Sequence, residues 1–338
     1  MSILIGRRGV LAAGILLAAA PAAARSSSVV VHRLSAALDQ VIRPGSVIET
    51  IATGVLWAEG PVWVPETGLL FSDPPANLIR CWTRAHGTRA FLSPSGVANT
   101  DPTLVREPGS NGLALDDEGG LLIANSGGRS LDRLDLKTGR RTILVDRHVG
   151  KRFNSPNDLH VARDGAIYFT DPPYGLAGGD ESPIKELDQN GVYRWTAASG
   201  AVLIDGTLTR PNGIALSPDE RLLYVSVSDE AAPRIMVYDL DDRGFPLRSR
   251  MWLDAKPLQK DGAPGLPDGM KIHRDGTLFC SVPGGMMVLT PEAEAIGSIV
   301  SGAAISNCAF GEDGSALFLT GADRAFRVPL QRPPKMKN

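Results

Sequence analysis

Six residues with oxygen-bearing side chains, Glu59, Asn111, Asn157, Asn212, Asp268 and Asn307, stand far apart in the chain yet share one local context. Two carboxylates and four amides offer a metal only hard oxygen donors. Such a set favours Ca²⁺ or Mg²⁺ over copper or zinc. Two negative charges neutralise one divalent ion, and calcium's tolerance of irregular six- to eight-fold coordination leaves places for water or substrate. An ion held in this way is an open Lewis acid, suited to polarising a carbonyl or phosphoryl oxygen. Asn-Gly and Asp-Gly are also common turn pairs, and for Asn111 and Asn307 that backbone reading competes. It is weakest for Glu59, because Glu is no turn former and is followed by Gly-Pro.

For these side chains to act together, the elements that carry them must converge. Each residue opens the same phrase: EGPVWVPETGLLFSD, NGLALDDEGGLLIAN, NDLHVARDGAIYFTD, NGIALSPDERLLYVS, DGMKIHRDGTLFCS and NCAFGEDGSALFLTG. A short apolar strand, a polar Gly/Asp/Pro turn and a second apolar strand follow in turn, which predicts a hairpin. The phrases start 52, 46, 55, 56 and 39 residues apart. A period near 50 with strand pairs inside it predicts an all-β, six-bladed β-propeller. GVYRWTAAS and RIMVYDL supply outer strands. Only about three strands fit after Asn307, so the segment SVIETIATGVLW is expected to pair with the last blade and close the ring. Equivalent positions of six blades lie on one circle around the axis, so the six residues should meet at one mouth of the central tunnel.

Other chemistry is sparse. There is no Gly-x-Ser-x-Gly elbow, His-Glu-x-x-His pair or phosphate-binding glycine loop. His160, three residues into an inner strand, either faces the tunnel toward substrate or is a satisfied structural histidine. Arg152 either reaches over the mouth toward substrate hydroxyls or is a solvated loop arginine. Asp73, Asn125 and Asp171 recur fourteen residues into the first three phrases and read as strand-end caps. Cys81, Cys280 and Cys308 match no metal spacing and read as buried small hydrophobes, with one disulfide left open. With 35 basic and 37 acidic residues in 338, a net charge of −2 gives no electrostatic reason for nucleic acid or an anionic membrane as partner.

The N-terminus reads as an address. Arg7 and Arg8 precede an apolar run too short to span a bilayer, and Ala22-Ala23-Ala24 supplies a cleavage site. Residues 1–24 are therefore expected to be a signal peptide, the paired arginines suggesting the twin-arginine route, and the mature chain to be periplasmic without a stable membrane anchor. Residues 25–45 read as a lead-in, 46–332 as the propeller and 333–338 as a tail.

The phrases WAEGPVW, RFNSPNDLHV with IYFTDPPYG, RPNGIALSPD and LPDGMKI, in this order and in register with the repeats, resemble those of the gluconolactonase, senescence-marker-protein and luciferin-regenerating-enzyme family of six-bladed propellers. The resemblance spans nearly the whole mature chain. It implies hydrolysis of a sugar lactone with one divalent ion in the tunnel, Ca²⁺ first, with Mg²⁺, Mn²⁺ or Zn²⁺ as alternatives. Motif by motif, it implies Glu59, Asn212 and Asp268 as ligands, with Asn157 beside the ion. Asp268 and Asn157 would be catalytic, and Asn157, Arg152, Asn111 and His160 would contact substrate. A calcium-dependent phosphotriesterase and a non-catalytic ligand-binding propeller are the alternative functions. The small-molecule lactone is the only partner the resemblance implies, and the oligomeric state is not legible.

Overall fold

A computed structural model describes residues 29–331; the expected signal peptide and C-terminal tail lie outside them. Each phrase forms the antiparallel hairpin its alternation demands. The inner strands are Glu59–Val64, Leu113–Leu115, Leu159–Val161, Pro211–Leu216, Met270–Ile272 and Asn307–Gly311. They neighbour one another in sequence order, and the last returns to the first, so six sheets form a closed ring. Four blades are four-stranded sheets continuous in sequence. The second strands are near-continuous apolar runs, such as Leu121–Asn125 and Leu222–Val227, because both faces of each sheet are covered by the neighbouring blades.

The last two blades borrow from the N-terminus. Glu49–Thr53 pairs antiparallel with Arg324–Pro329, placing Glu49 opposite Arg327 and, through its side chain, within 3.0 Å of that guanidinium. Val30–Arg33 pairs with Ala295–Val300 and gives the fifth blade a fifth strand. The segment between them makes a 3₁₀ turn, Ala36–Gln40, and buries Leu38, Val41 and Ile42 among Phe279, Ile296, Ile299 and Leu330. Residues 30–42, expected as a lead-in, are thus packed into the propeller. Across the joint between the first and last blades, Phe318 stacks on Trp63 at 5.4 Å and meets Trp82 at 5.7 Å.

Hydroxyls near the ends of the second strands tie each blade to the next. Thr170 Oγ1 donates to Asn212 O at 2.6 Å, Ser226 Oγ to Asp268 O at 2.8 Å, and Ser72 Oγ meets Ser110 Oγ at 2.9 Å. Two of these bonds hold the backbone of a ring residue directly, which couples blade packing to the geometry of the site. Cys81, Cys280 and Cys308 are free and buried. No helix among the described residues is long and apolar enough to cross a membrane.

Candidate functional site

The six ring residues lie at the starts of the inner hairpins, not in their turns. Asn111 N–H donates to Ala124 O and Asn157 N–H to Thr170 O, the first backbone bonds of their hairpins. The glycine after most of them has a packing reason. A Cβ on Gly213 would stand 2.2 Å from Asp268 O, and one on Gly60 would stand 2.1 Å from Asn111 O. Adjacent blades approach so closely at this rim that a side chain does not fit. The Asn-Gly and Asp-Gly pairs therefore mark blade contact at the mouth, and the turn reading does not apply to them.

Five ring residues, Glu59, Asn111, Asn157, Asn212 and Asp268, line one cavity of about 780 Å³. The sixth, Asn307, does not: its Nδ2 donates to Asp158 Oδ2 at 3.3 Å and its Oδ1 accepts from Cys308 N–H at 2.8 Å. Glu59 is held on both oxygens, Oε1 by the Trp57 indole N–H at 3.3 Å and Oε2 by Gly60 N–H at 3.0 Å. Asn212 donates through Nδ2 to Ser228 Oγ at 2.9 Å, which leaves its Oδ1 for the cavity. Ser228 in turn donates to Pro267 O, so the phrase bearing Asn212 is tied to the one bearing Asp268.

The electrostatics of this ring are those of an anion-rich pocket. Burial, with the nearby charge of Asp158, pushes Glu59 up to about 8 against the pull of the Gly60 and Trp57 donors. Asp268 is also driven well above the usual carboxylate range, first by burial and then by Glu59 and Asp158. The Oδ1 atoms of Asp268 and Asn111 are buried and accept no hydrogen bond among the described residues. An orphaned buried acceptor costs roughly 1–3 kcal/mol unless something fills it. Orphaned oxygens and destabilised carboxylates on one rim fit a hard divalent cation, which Glu59, Asn212 and Asp268 could hold with Asn157 beside it. Among the described residues no cluster of three or more His, Cys, Asp or Glu side chains forms a metal site; here two carboxylates are joined by amides.

The structure does not bring Arg152 or His160 to this cavity. Arg152 lies in the small hairpin formed by Arg147–His148 and Lys151–Arg152, where its Nη2 donates to Gly128 O and its backbone N–H to Glu186 Oε2 at 2.8 Å. The intervening Asn154-Ser155-Pro156 explains the displacement. Asn154 N–H is bound by Asp171 Oδ2 at 2.8 Å and Ser155 Oγ donates to Pro172 O at 2.6 Å, so the chain between Arg152 and Asn157 is pinned into the blade. His160 is lowered to about 4, by burial and then by the Lys271 charge, and is neutral at pH 7.

Sequence reading missed the residues between blades. Arg106 and Glu107 reach the cavity from the loop between the first two blades, paired with each other at 3.2 Å, with Arg106 N–H anchored on Gly175 O at 2.8 Å. Tyr174 contributes a buried hydroxyl beside Ser228 and Asn212, and burial pushes its phenol up, so it is protonated and able to donate. Trp57, Leu266, Ala304 and Ile305 add apolar lining, and Glu230 and Gln259 polar lining. Trp57, Tyr174 and Leu266 stand inside quoted motifs; the others sit on loops without the repeat's phasing. Asp73 and Asp171 cap as expected. Asp73 Oδ1 binds the Leu56 and Trp57 N–H groups, both at 3.2 Å, and so fixes the approach to Glu59.

Comparison with known proteins agrees with this architecture. The family model described as "SMP-30/Gluconolactonase/LRE-like region" matches residues 57–323. A gluconolactonase of Zymomonas mobilis is 47% identical over 303 residues, covering 88% of this chain and 85% of that protein. A solved structure of a gluconolactonase from Xanthomonas campestris superposes with a TM-score of 0.76 at 31% identity, covering 89% of this chain and 95% of the other. A calcium-binding regucalcin from Agrobacterium tumefaciens shares the fold, with a TM-score of 0.66 at 19% identity over 85% of this chain and 96% of the other.

Proposed function

Since the chain belongs to the SMP-30/gluconolactonase/LRE-like family, we propose that it hydrolyses a sugar lactone with a divalent cation, Ca²⁺ foremost, at the rim of Glu59, Asn157, Asn212 and Asp268. Family membership supports the lactone-opening activity. The convergence of five ring residues on one cavity, with Asp268 Oδ1 and Asn111 Oδ1 unpartnered, carries the site assignment.

Bound there, the cation would supply Lewis-acid polarisation of the ester carbonyl and stabilise the developing oxyanion. The chain's own groups do the rest. Asp268 Oδ1, free of protein donors, is the atom placed to take a proton from the attacking water. That water adds to the carbonyl carbon, the ring C–O bond breaks, the ring oxygen takes the proton that Asp268 received from the water, and the product is a hydroxy acid with Asp268 again ionised. Asn157, whose side chain makes no hydrogen bond among the described residues, orients water and the carbonyl. Arg106 and the Tyr174 hydroxyl take the substrate-orienting role that Arg152 cannot fill, by donating to ring hydroxyls, while Trp57 offers an apolar face to the sugar ring. No covalent intermediate is required, in keeping with the missing serine elbow. The periplasm, reached through the segment 1–24, belongs to the same proposal, and fractionation of the expressed full chain tests it.

The decisive experiment is turnover of aldonolactones and of an organophosphate triester by metal-free protein, with and without added Ca²⁺. Lactone turnover restored by the ion supports the reading. Full lactone turnover in chelator overturns the cation's role, triester turnover alone makes the chain a phosphotriesterase, and ligand binding without turnover of either makes it a binding propeller.

A further inference from the structure

The residue after each ring position is glycine in four phrases, but Asp158 follows Asn157 and Cys308 follows Asn307. Asp158 is a carboxylate at the position where four other phrases carry a glycine crowded by the next blade. It is 2% exposed, accepts from Leu159 N–H at 2.8 Å through Oδ1 and from Asn307 Nδ2 at 3.3 Å through Oδ2, and faces the Lys271 ammonium at 4.0 Å. Lys271, the middle residue of the fifth inner strand, is partly buried, and its Nζ also donates to Met270 O at 3.0 Å. His160, the other basic group nearby, is neutral at pH 7. Neither Asp158 nor Lys271 lines the cavity.

We infer that Lys271 is a tethered counter-cation that cancels Asp158 beneath the rim and thereby sets the charge left for the ion, so that the site takes one divalent cation and not two. The inference rests on the cation-dependent reading above. Glu59, Asp158 and Asp268 bring three negative charges and Lys271 one positive charge, while Glu107 is paired with Arg106 at 3.2 Å and Glu230 is exposed to solvent, so the buried remainder of two is what one divalent ion neutralises. In a poorly hydrated interior such charges act over several ångströms with little screening. The field of Asp158 reaches both Glu59 and Asp268. Removing Lys271 alone would leave an uncompensated buried carboxylate, and removing Asp158 alone an uncompensated ammonium.

Calorimetric Ca²⁺ titration of the metal-free full chain tests this on four proteins: the parent, Lys271→Met, Asp158→Asn and the double variant. One equivalent is expected for the parent. Lys271→Met should bind Ca²⁺ at least about tenfold more tightly or take a second equivalent, and Asp158→Asn should bind at least about tenfold more weakly. The double variant should return to within about threefold of the parent, because interacting charges are non-additive in such a cycle. Lys271→Arg, which keeps the charge, should titrate like the parent. Circular dichroism confirms folding, and Lys271→Gln replaces the methionine variant if that one does not fold. Single variants with the parent's affinity and stoichiometry, or effects that simply add, overturn the inference while leaving the metal reading intact. A parent chain that binds no divalent cation overturns both.

Discussion

On the proposed cation-dependent reading, the metal-free protein should be sensitive to alkali, and Glu59 sets the size of the effect. In the metal-free fold its carboxyl is raised from an ordinary 4.5 to about 8. Between those values the folded chain holds a proton that the unfolded chain has released, so stability falls as pH rises. Below 4.5 the carboxyl is protonated in both states and contributes nothing. At and above pH 8 it is ionised in both, and the full penalty is present. At about 1.4 kcal/mol per pH unit of separation, that penalty is at most on the order of 5 kcal/mol, several degrees in Tm for a chain of this size. Other groups act in neighbouring windows. Asp171, raised to about 7 chiefly by burial, has the same sign, but its effect is largely complete by neutrality. His160, lowered to about 4, has the opposite sign and destabilises only as pH falls below about 6.5. From pH 7 to 8 the further fall comes chiefly from the rim and is roughly 1 kcal/mol of Glu59's total; toward pH 8.5 the thiols of Cys81, Cys280 and Cys308, raised by burial, add to it with the same sign. Thermal unfolding of chelator-treated protein should show Tm dropping from pH 7 to 8. Saturating Ca²⁺ should flatten the drop, and Glu59→Gln should lose most of it without any metal. A metal-free parent whose Tm is level from pH 7 to 8 would refute the account of Glu59.

Three further outcomes are expected. Asp268→Asn should lose both Ca²⁺ affinity and lactone turnover, whereas Asn157→Ala should keep the ion and lose about 10²–10³ in rate; calorimetry beside hydrolysis rates separates them, and parental values for Asp268→Asn would remove it from the site. Arg106→Ala should raise KM about tenfold or more with a smaller change in kcat, while Arg152→Ala leaves KM within about twofold, as steady-state kinetics on one lactone would show. Phe318→Ala should cost about 3–5 kcal/mol, because it empties the contact between Trp63 and Trp82 where the ring closes; denaturant unfolding reads this, and a loss under about 1 kcal/mol would mean the joint is not held there.

What the chain reveals without its coordinates follows from which features repeat. The inner hairpins were legible because each must alternate apolar and polar residues around a Gly/Asp turn. Six copies in phase fix the blade count and place Glu59, Asn111, Asn157, Asn212 and Asp268 on one rim. The strands Gly191–Thr196 and Arg234–Leu240 lie where GVYRWTAAS and RIMVYDL put them. Val30–Arg33 was not legible, because four residues with no turn signal reveal nothing of a partner near Val300, at the far end of the chain. Arg106, Glu107, Gln259 and Glu230 escaped for a related reason. Loops between blades, and the loop inside the fourth blade that carries Glu230 between Leu222–Val227 and Arg234–Leu240, are free of the packing that enforces the period, so their positions carry no phase from which a location can be read. Arg152 shows the converse hazard: its neighbourhood to Asn157 in sequence suggests a shared site, yet Asp171 and Pro172 draw the intervening segment into the third blade and aim the guanidinium at Gly128. The informative deviation was the break within the period. Glycine follows a ring residue wherever the next blade crowds it, so an aspartate there must be held by partners of its own. Asn307 and Lys271 are those partners, and they explain why one ring asparagine is turned inward while the other five ring residues face the cavity.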